Sequence, residues 1–193
     1  QVDALNQLLK IQLVVGGKRW SPRVYDSYNR FLREHKNTEA YFSSLVIRGN
    51  YQLMNGAMRK GIGHLHEALV WVEEHPMVGR VGGYACEKLA DAYLHLYRRA
   101  LRENSMIQGS FRDCYLRTMG TMKKLKQRLV LFDPAYHLLQ GRYCLIEQKL
   151  PGAAKHFNGA MELGRHMGVI PVEAQAMYHL ATHAQLTESM RRH

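Results

Sequence analysis

One internal similarity limits what this chain can fold into. Gly49-Asn50-Tyr51 returns as Gly141-Arg142-Tyr143, displaced by 92 residues, and at the same displacement His64-Leu65-x-x-Ala68-Leu69 falls on His156-Phe157-x-x-Ala160-Met161 without a gap. Both glycines lie inside segments of helical spacing, where glycine costs about 1 kcal/mol relative to alanine. A close helix-helix crossing is the natural compensation, with the small Ala68 and Ala160 serving it from the second helix. The chain is therefore expected to be built from helical hairpins, two of which share one design.

Helical spacing extends well beyond these two stretches. Leu5, Leu8, Leu9 and Leu13 share one face, as do Tyr25, Tyr28, Phe31 and Leu32, and again Leu89, Ala92, Tyr93, Leu96 and Tyr97. From Phe111 onward, Tyr115, Met119, Met122, Leu125 and Leu129 fall on one side while Arg117, Lys124 and Arg128 fall opposite. The prolines punctuate. Ser21-Pro22 and Asp133-Pro134 read as an N-cap followed by Pro at the first helical position, Pro151 and Pro171 also open helices, and Pro76 follows a stop. This pattern predicts nine helices, at 3–15, 21–34, 38–55, 59–74, 80–103, 110–131, 134–148, 151–167 and 171–190. Only Leu13-Val14-Val15 and Val169-Ile170 are strand-like, and both are too isolated for a sheet. The expected class is all-α, a single domain over 1–193 arranged as an α-solenoid of antiparallel helix pairs.

Two stretches resemble the tetratricopeptide repeat, whose helix pair carries small residues at its eighth and twentieth positions, an aromatic at the twenty-fourth and Ala at the twenty-seventh. Residues 134–167 supply Gly141, Ala153, Phe157 and Ala160 at those spacings; residues 42–75 supply Gly49, Gly61, Leu65 and Ala68. Leu45 and His137 stand where the family has Trp near the fourth position. Taking Ala92 and Ala181 as the small residues of further repeats gives intervals of 43, 49 and 40, longer than the strict repeat of about 34. The run from Ala153 to Gly164, followed by Glu173 to Ala181, is similar to degenerate repeats found C-terminal in signalling ATPases and soluble-type adenylyl cyclases (adenylate cyclase type 10). That resemblance implies a regulatory repeat segment of a larger signalling enzyme and identifies no active residue.

Tests for chemistry within these residues return little. Gly16-Gly17-Lys18 misses the phosphate-binding loop, because Arg19 is not Ser or Thr and Gln12 is not Gly. Gly79-Arg80-Val81-Gly82-Gly83 misses the dinucleotide fingerprint. His179 and His183 have the i, i+4 spacing of zinc ligands, but Leu180 replaces the general base of a metalloprotease, and His64/His66 is the other close pair. Cys86, Cys114 and Cys144 fit neither a disulfide framework nor metal-binding pairs. Cys86 and Cys144 are expected to pack as small apolar residues. No catalytic, cofactor or metal site is expected.

Charge is the uneven feature. The formal net charge is +11, and residues 98–128 alone hold nine basic against two acidic residues, a local excess of +7. Arg98, Arg99, Arg102, Arg117, Lys123, Lys124, Lys126 and Arg128 are the expected partner-binding set, facing an acidic protein surface. A nucleic acid is less favoured, since no stacking aromatics interleave with these cations. No apolar run reaches the roughly 18 residues of a membrane span. The chain opens at Gln1 without a readable signal peptide, and apolar terminal faces (Leu5, Leu8, Leu9; Met177, Leu180, Leu186) suggest a segment of a larger protein or tight assembly. The expected role is a cytoplasmic scaffold or regulatory module, in a cytoskeletal or nuclear setting as alternatives, that binds another protein.

Overall fold

The computed structural model describes residue 30, residues 34–77 and residues 79–191, with side chains followed to residue 182. Seven α-helices run in order: α1 Glu39–Met54, α2 Met58–Glu74, α3 Arg80–Arg102, α4 Gln108–Arg128, α5 Asp133–Ile146, α6 Leu150–Met167 and α7 Ile170–Arg191. A 3-10 turn, Val130–Phe132, joins α4 to α5. The chain is all-α, with no strand among the described residues. The helices expected at 3–15 and 21–34 lie outside the described residues, apart from residues 30 and 34. The chain divides into two compact units, 1–92 and 93–193, with the division falling inside α3.

In the first unit, Thr38 caps α1 by accepting from the Tyr41 N–H at 3.3 Å. α1 and α2 then meet backbone to backbone. A Cβ on Gly49 would lie 2.6 Å from Leu65 and 3.2 Å from the Gly61 carbonyl, and one on Gly61 would lie 2.9 Å from the Gly49 carbonyl. Phe42 stacks on Trp71 with ring centres 5.2 Å apart, and the Trp71 indole N–H donates to the Lys36 carbonyl at 2.6 Å. The start of α3 is tied to α1 because the Glu39 carboxylate accepts from the N–H groups of Gly79 (2.7 Å) and Gly82 (3.0 Å). His75 leaves α2 in extended backbone (φ −118°, ψ 123°), as the residue before Pro76 must.

In the second unit the same crossing recurs between α5 and α6, where a Cβ on Gly141 would lie 2.6 Å from Phe157. The close approach was expected, and Leu65 and Phe157, equivalent at the displacement of 92, are the side chains nearest Gly49 and Gly141. Ala160 is fully buried in one cluster with Leu138 of α5, Ala153 and Phe157 of its own helix, and Val172 and Ala176 of α7. α4 runs antiparallel to α5: Lys126 pairs with Asp133, the Tyr115 hydroxyl donates to the Leu139 carbonyl (3.0 Å), and Arg112 donates to the Tyr143 hydroxyl (3.0 Å).

The turns repeat as closely as the helices. Asn55-Gly56-Ala57 closes α1 with bonds from 55 to Tyr51, 56 to Leu53 and 57 to Gln52, and Glu147-Gln148-Lys149 closes α5 with bonds from 147 to Tyr143, 148 to Leu145 and 149 to Cys144. Every one of these partners is displaced by the same 92 residues. The middle residue is left-handed in both, Gly56 at φ 76° and Gln148 at φ 57°; Asn104 and Gly168 take the same role after α3 and α6. This is the Schellman ending, with the 6→1 and 5→2 bonds that satisfy the last carbonyls.

Two local expectations change. The helix expected to run to residue 131 stops at Arg128, because Leu129 leaves helical backbone (φ −127°, ψ 87°) and the 3-10 turn brings Phe132 into the core. Asp133 is the first residue of α5 rather than a side-chain N-cap, since its carboxylate is held by Lys126 of α4.

Candidate protein-interaction face

α4 owes its orientation to its two-sided sequence. Phe111, Tyr115, Thr118, Met119, Met122 and Leu125 are buried, and the Thr118 hydroxyl is satisfied by donating to the Cys114 carbonyl (2.8 Å). The opposite side carries Arg117, Gly120, Lys123, Lys124, Gln127 and Arg128, all exposed. At 1.5 Å rise per residue, Arg117 to Arg128 spans about 16 Å. Among the described residues, Lys123, Lys124 and Arg128 stand in no ion pair.

The other basic residues are placed differently. Lys126 is half-buried, ion-paired with Asp133 and lying 4.6 Å from the centre of the Tyr136 ring. Arg98, Arg99 and Arg102 are exposed at the end of α3, with Arg99 bonded to Glu103 at 2.7 Å. Tyr143 touches both Tyr97 of α3 and Arg112 of α4. The end of α3 therefore meets the beginning of α4, about 16 Å along the helix from Lys123. The eight residues expected to form one surface fall into two groups, each with exposed cations; in the α3 group Arg99 is bonded to Glu103, whereas Lys123, Lys124 and Arg128 of the C-terminal half of α4 stand outside any ion pair among the described residues.

Between the groups, Arg112 is engaged by Tyr143 and by Glu147 (3.5 Å), and Tyr97 donates to Glu147 at 2.6 Å. Burial pushes the Glu147 carboxyl up, but the Tyr97 hydrogen bond and the Arg112 and Lys149 charges outweigh it and hold the group below its ordinary range. Burial, then the bond to Glu147, raises the Tyr97 hydroxyl to about 12. This polar cluster fastens α3, α4 and α5 together.

Gly120 lies in the middle of the open face. A Cβ there would meet nothing within 4 Å, in contrast to Gly49, Gly61 and Gly141. Its cost to α4, about 1 kcal/mol relative to alanine, is not recovered by any contact among the described residues.

The histidines and cysteines expected to be structural sit in the fold. His179 stacks on Phe157, rings 4.7 Å apart and 13° from parallel, and burial lowers its pKa. The side chain of His183 lies outside the described residues. Burial, then the nearby Arg48, lowers His64. Burial raises the Cys86 and Cys144 thiols, keeping both in the neutral form. Among the described residues no three His, Cys, Asp or Glu side chains converge as a metal-binding group, and no helix is long and apolar enough to cross a membrane.

One polar contact went unseen in the sequence: His137 of α5 and His156 of α6 bring their Nδ1 atoms to 3.1 Å. Asp133 lies 3.6 Å from His137 Nε2. That carboxylate favours a proton on Nε2, so that His137 Nδ1 accepts and His156 Nδ1–H donates. The pair lies across the α5–α6 crossing, between helices whose separate spacings give no sign of it. No family model, curated protein or solved structure matches this chain.

Proposed function

We propose that this chain is a non-catalytic helical-repeat module, its hairpins stacked as a tetratricopeptide-like solenoid, that binds an acidic protein on the outer face of α4. The observation that carries the reading is the group of Lys123, Lys124 and Arg128, exposed together within about one and a half turns of helix and outside any ion pair among the described residues. Such a group concentrates anions and steers an acidic surface toward it, an effect that salt screens over about 10 Å at 0.1 M. Protein is favoured over nucleic acid because the aromatics of α4, Phe111 and Tyr115, are buried and leave no stacking platform beside these cations.

Fluorescence anisotropy of a labelled polyglutamate peptide tests this. The peptide should bind the full chain and weaken as salt rises from about 50 mM to about 200 mM. A Lys123→Glu/Lys124→Glu/Arg128→Glu variant should keep its helical circular dichroism and melting temperature yet lose at least about tenfold in affinity, equivalent to about 1.4 kcal/mol. Lys126 is left intact, because changing it would break the pair with Asp133. Unchanged binding by the folded triple variant overturns the reading. Preferential, salt-sensitive retention of duplex DNA would replace the acidic protein with nucleic acid.

A further inference from the structure

Resting on that reading, we infer that the partner segment is an acidic amphipathic α-helix that crosses α4 over Gly120. The chain's own crossings show how it uses glycine inside helices. Gly49 and Gly61 face each other so closely that each would place a Cβ within 3.2 Å of the other's carbonyl oxygen, and Gly141 admits the Phe157 ring. Gly120 is also a mid-helix glycine, yet the space above it is open and the residue is exposed. Its backbone is therefore accessible to a second backbone from outside, as the paired glycines of α1 and α2 are to each other.

The residues around Gly120 define that second backbone. Leu116, one turn before it, is 40% exposed and offers an apolar contact. Lys123, Lys124 and Arg128 follow within the next two turns, and Arg117 precedes it. A helix laid across this point would place small residues over Gly120, an apolar residue on Leu116 and carboxylates at i, i+4 spacing toward the cations. An extended acidic segment would satisfy the charges but has no use for the open glycine. Gly63 of α2 is equally open, with Arg59 and Lys60 before it, but the Glu67 carboxylate one turn after it would repel an acidic helix, whereas the cations around Gly120 are not interrupted by an acidic residue.

Two labelled peptides of equal charge separate helix recognition from charge alone. One is alanine-rich with glutamates spaced i, i+4 along one face; the other keeps the same length and glutamates but has prolines in place of some alanines. The helical peptide should bind wild type at least about tenfold tighter, a difference of about 1.4 kcal/mol. Gly120→Arg gives the sharper test, since it adds a favourable charge while filling the crossing point. It should weaken the helical peptide severalfold and tighten the broken one, with the melting temperature maintained or raised because arginine is a better helix former than glycine. Gly120→Ala, the milder filling, should weaken only the helical peptide. If the two peptides bind alike and Gly120→Arg tightens both, the helix inference falls while the basic face stands. If the folded Lys123→Glu/Lys124→Glu/Arg128→Glu variant binds both peptides as wild type does, or wild type binds neither, both ideas fall together.

Discussion

Replacing His156 with alanine should change stability by an amount whose sign depends on pH. At about pH 7.5 both rings are neutral and the variant loses the hydrogen bond to His137 across the α5–α6 crossing, 3.1 Å between Nδ1 atoms. A net contribution of about 1 kcal/mol is expected for such a bond, and in a chain of this size that moves the melting temperature by roughly 2–4 °C. In acid the contact inverts. With both rings protonated, two donors face each other; at 3.1 Å two unit charges repel by about 1 kcal/mol in water and about 5 kcal/mol at an effective dielectric of 20. These rings are only partly buried and can turn apart, so the lower end applies.

The surroundings set the direction of the titration. Burial lowers His137 first; Asp133 opposes it, while Lys126 of α4 and His156 and Lys155 of α6 add to it. His156 is lowered by burial, then Lys155 and Lys126. Tyr136 lies edge-on to His137 and brings no charge. Because both folded pKa values lie below the unfolded value of about 6.5, the unfolded chain takes up protons first as pH falls. Stability is thus full above about pH 6.5 and declines until the folded rings have also titrated. His64 and His179 are lowered too, but they titrate alike in wild type and variant and cancel in the comparison. Denaturant unfolding should show wild type ahead of His156→Ala by about 1 kcal/mol near pH 7.5 and level with it or behind near pH 5. A difference that stays constant between those pH values refutes the account of two rings competing for one proton.

Glycine substitutions give a second contrast. Gly49→Ala or Gly141→Ala would put a methyl 2.6 Å from Leu65 or Phe157; overpacking of about 1–3 kcal/mol outweighs the helix gain of about 1 kcal/mol, so thermal melts should shift down, whereas Gly120→Ala should shift them up. Gln148→Gly should stabilise by about 0.5–1 kcal/mol in a denaturant titration, because glycine relieves the left-handed backbone at φ 57° at the expense of a more flexible unfolded chain.

Helical spacing and proline placement were enough to locate all seven described helices to within three residues at either end, because each buries an apolar stripe whose period is local in sequence. What depends on side chains meeting from different helices was not legible that way. Asp133 has the right residue type for an N-cap, but Lys126, seven residues earlier, reaches it first and takes the same lysine out of the expected binding surface. The run from Arg98 to Arg128 looked like one basic region because it is continuous in sequence. A helical hairpin reverses direction within it, sending Arg98–Arg102 and Lys123–Arg128 to opposite ends of α4. Arg112, in the middle, is occupied by Glu147 and Tyr143, which lie more than 30 residues away.

The repeat register carried more information than helical spacing did, and its limits are equally instructive. The displacement of 92 was visible in two short strings, yet it extends through the three backbone hydrogen bonds, from residues 55, 56 and 57 and from residues 147, 148 and 149, that close α1 and α5. It even tolerates Gln148 where the first copy has Gly56, which shows that the turn is imposed by the helices it joins rather than by glycine's freedom. At the α5–α6 crossing His137 also meets His156, a contact between two helices that neither helix's own spacing shows. The register is silent about α4, which belongs to neither copy. That is where an open mid-helix glycine, Gly120, lies among exposed cations, Lys123, Lys124 and Arg128, that stand outside any ion pair among the described residues, so what α4 presents on its outer face follows from its own sequence and not from the internal repetition.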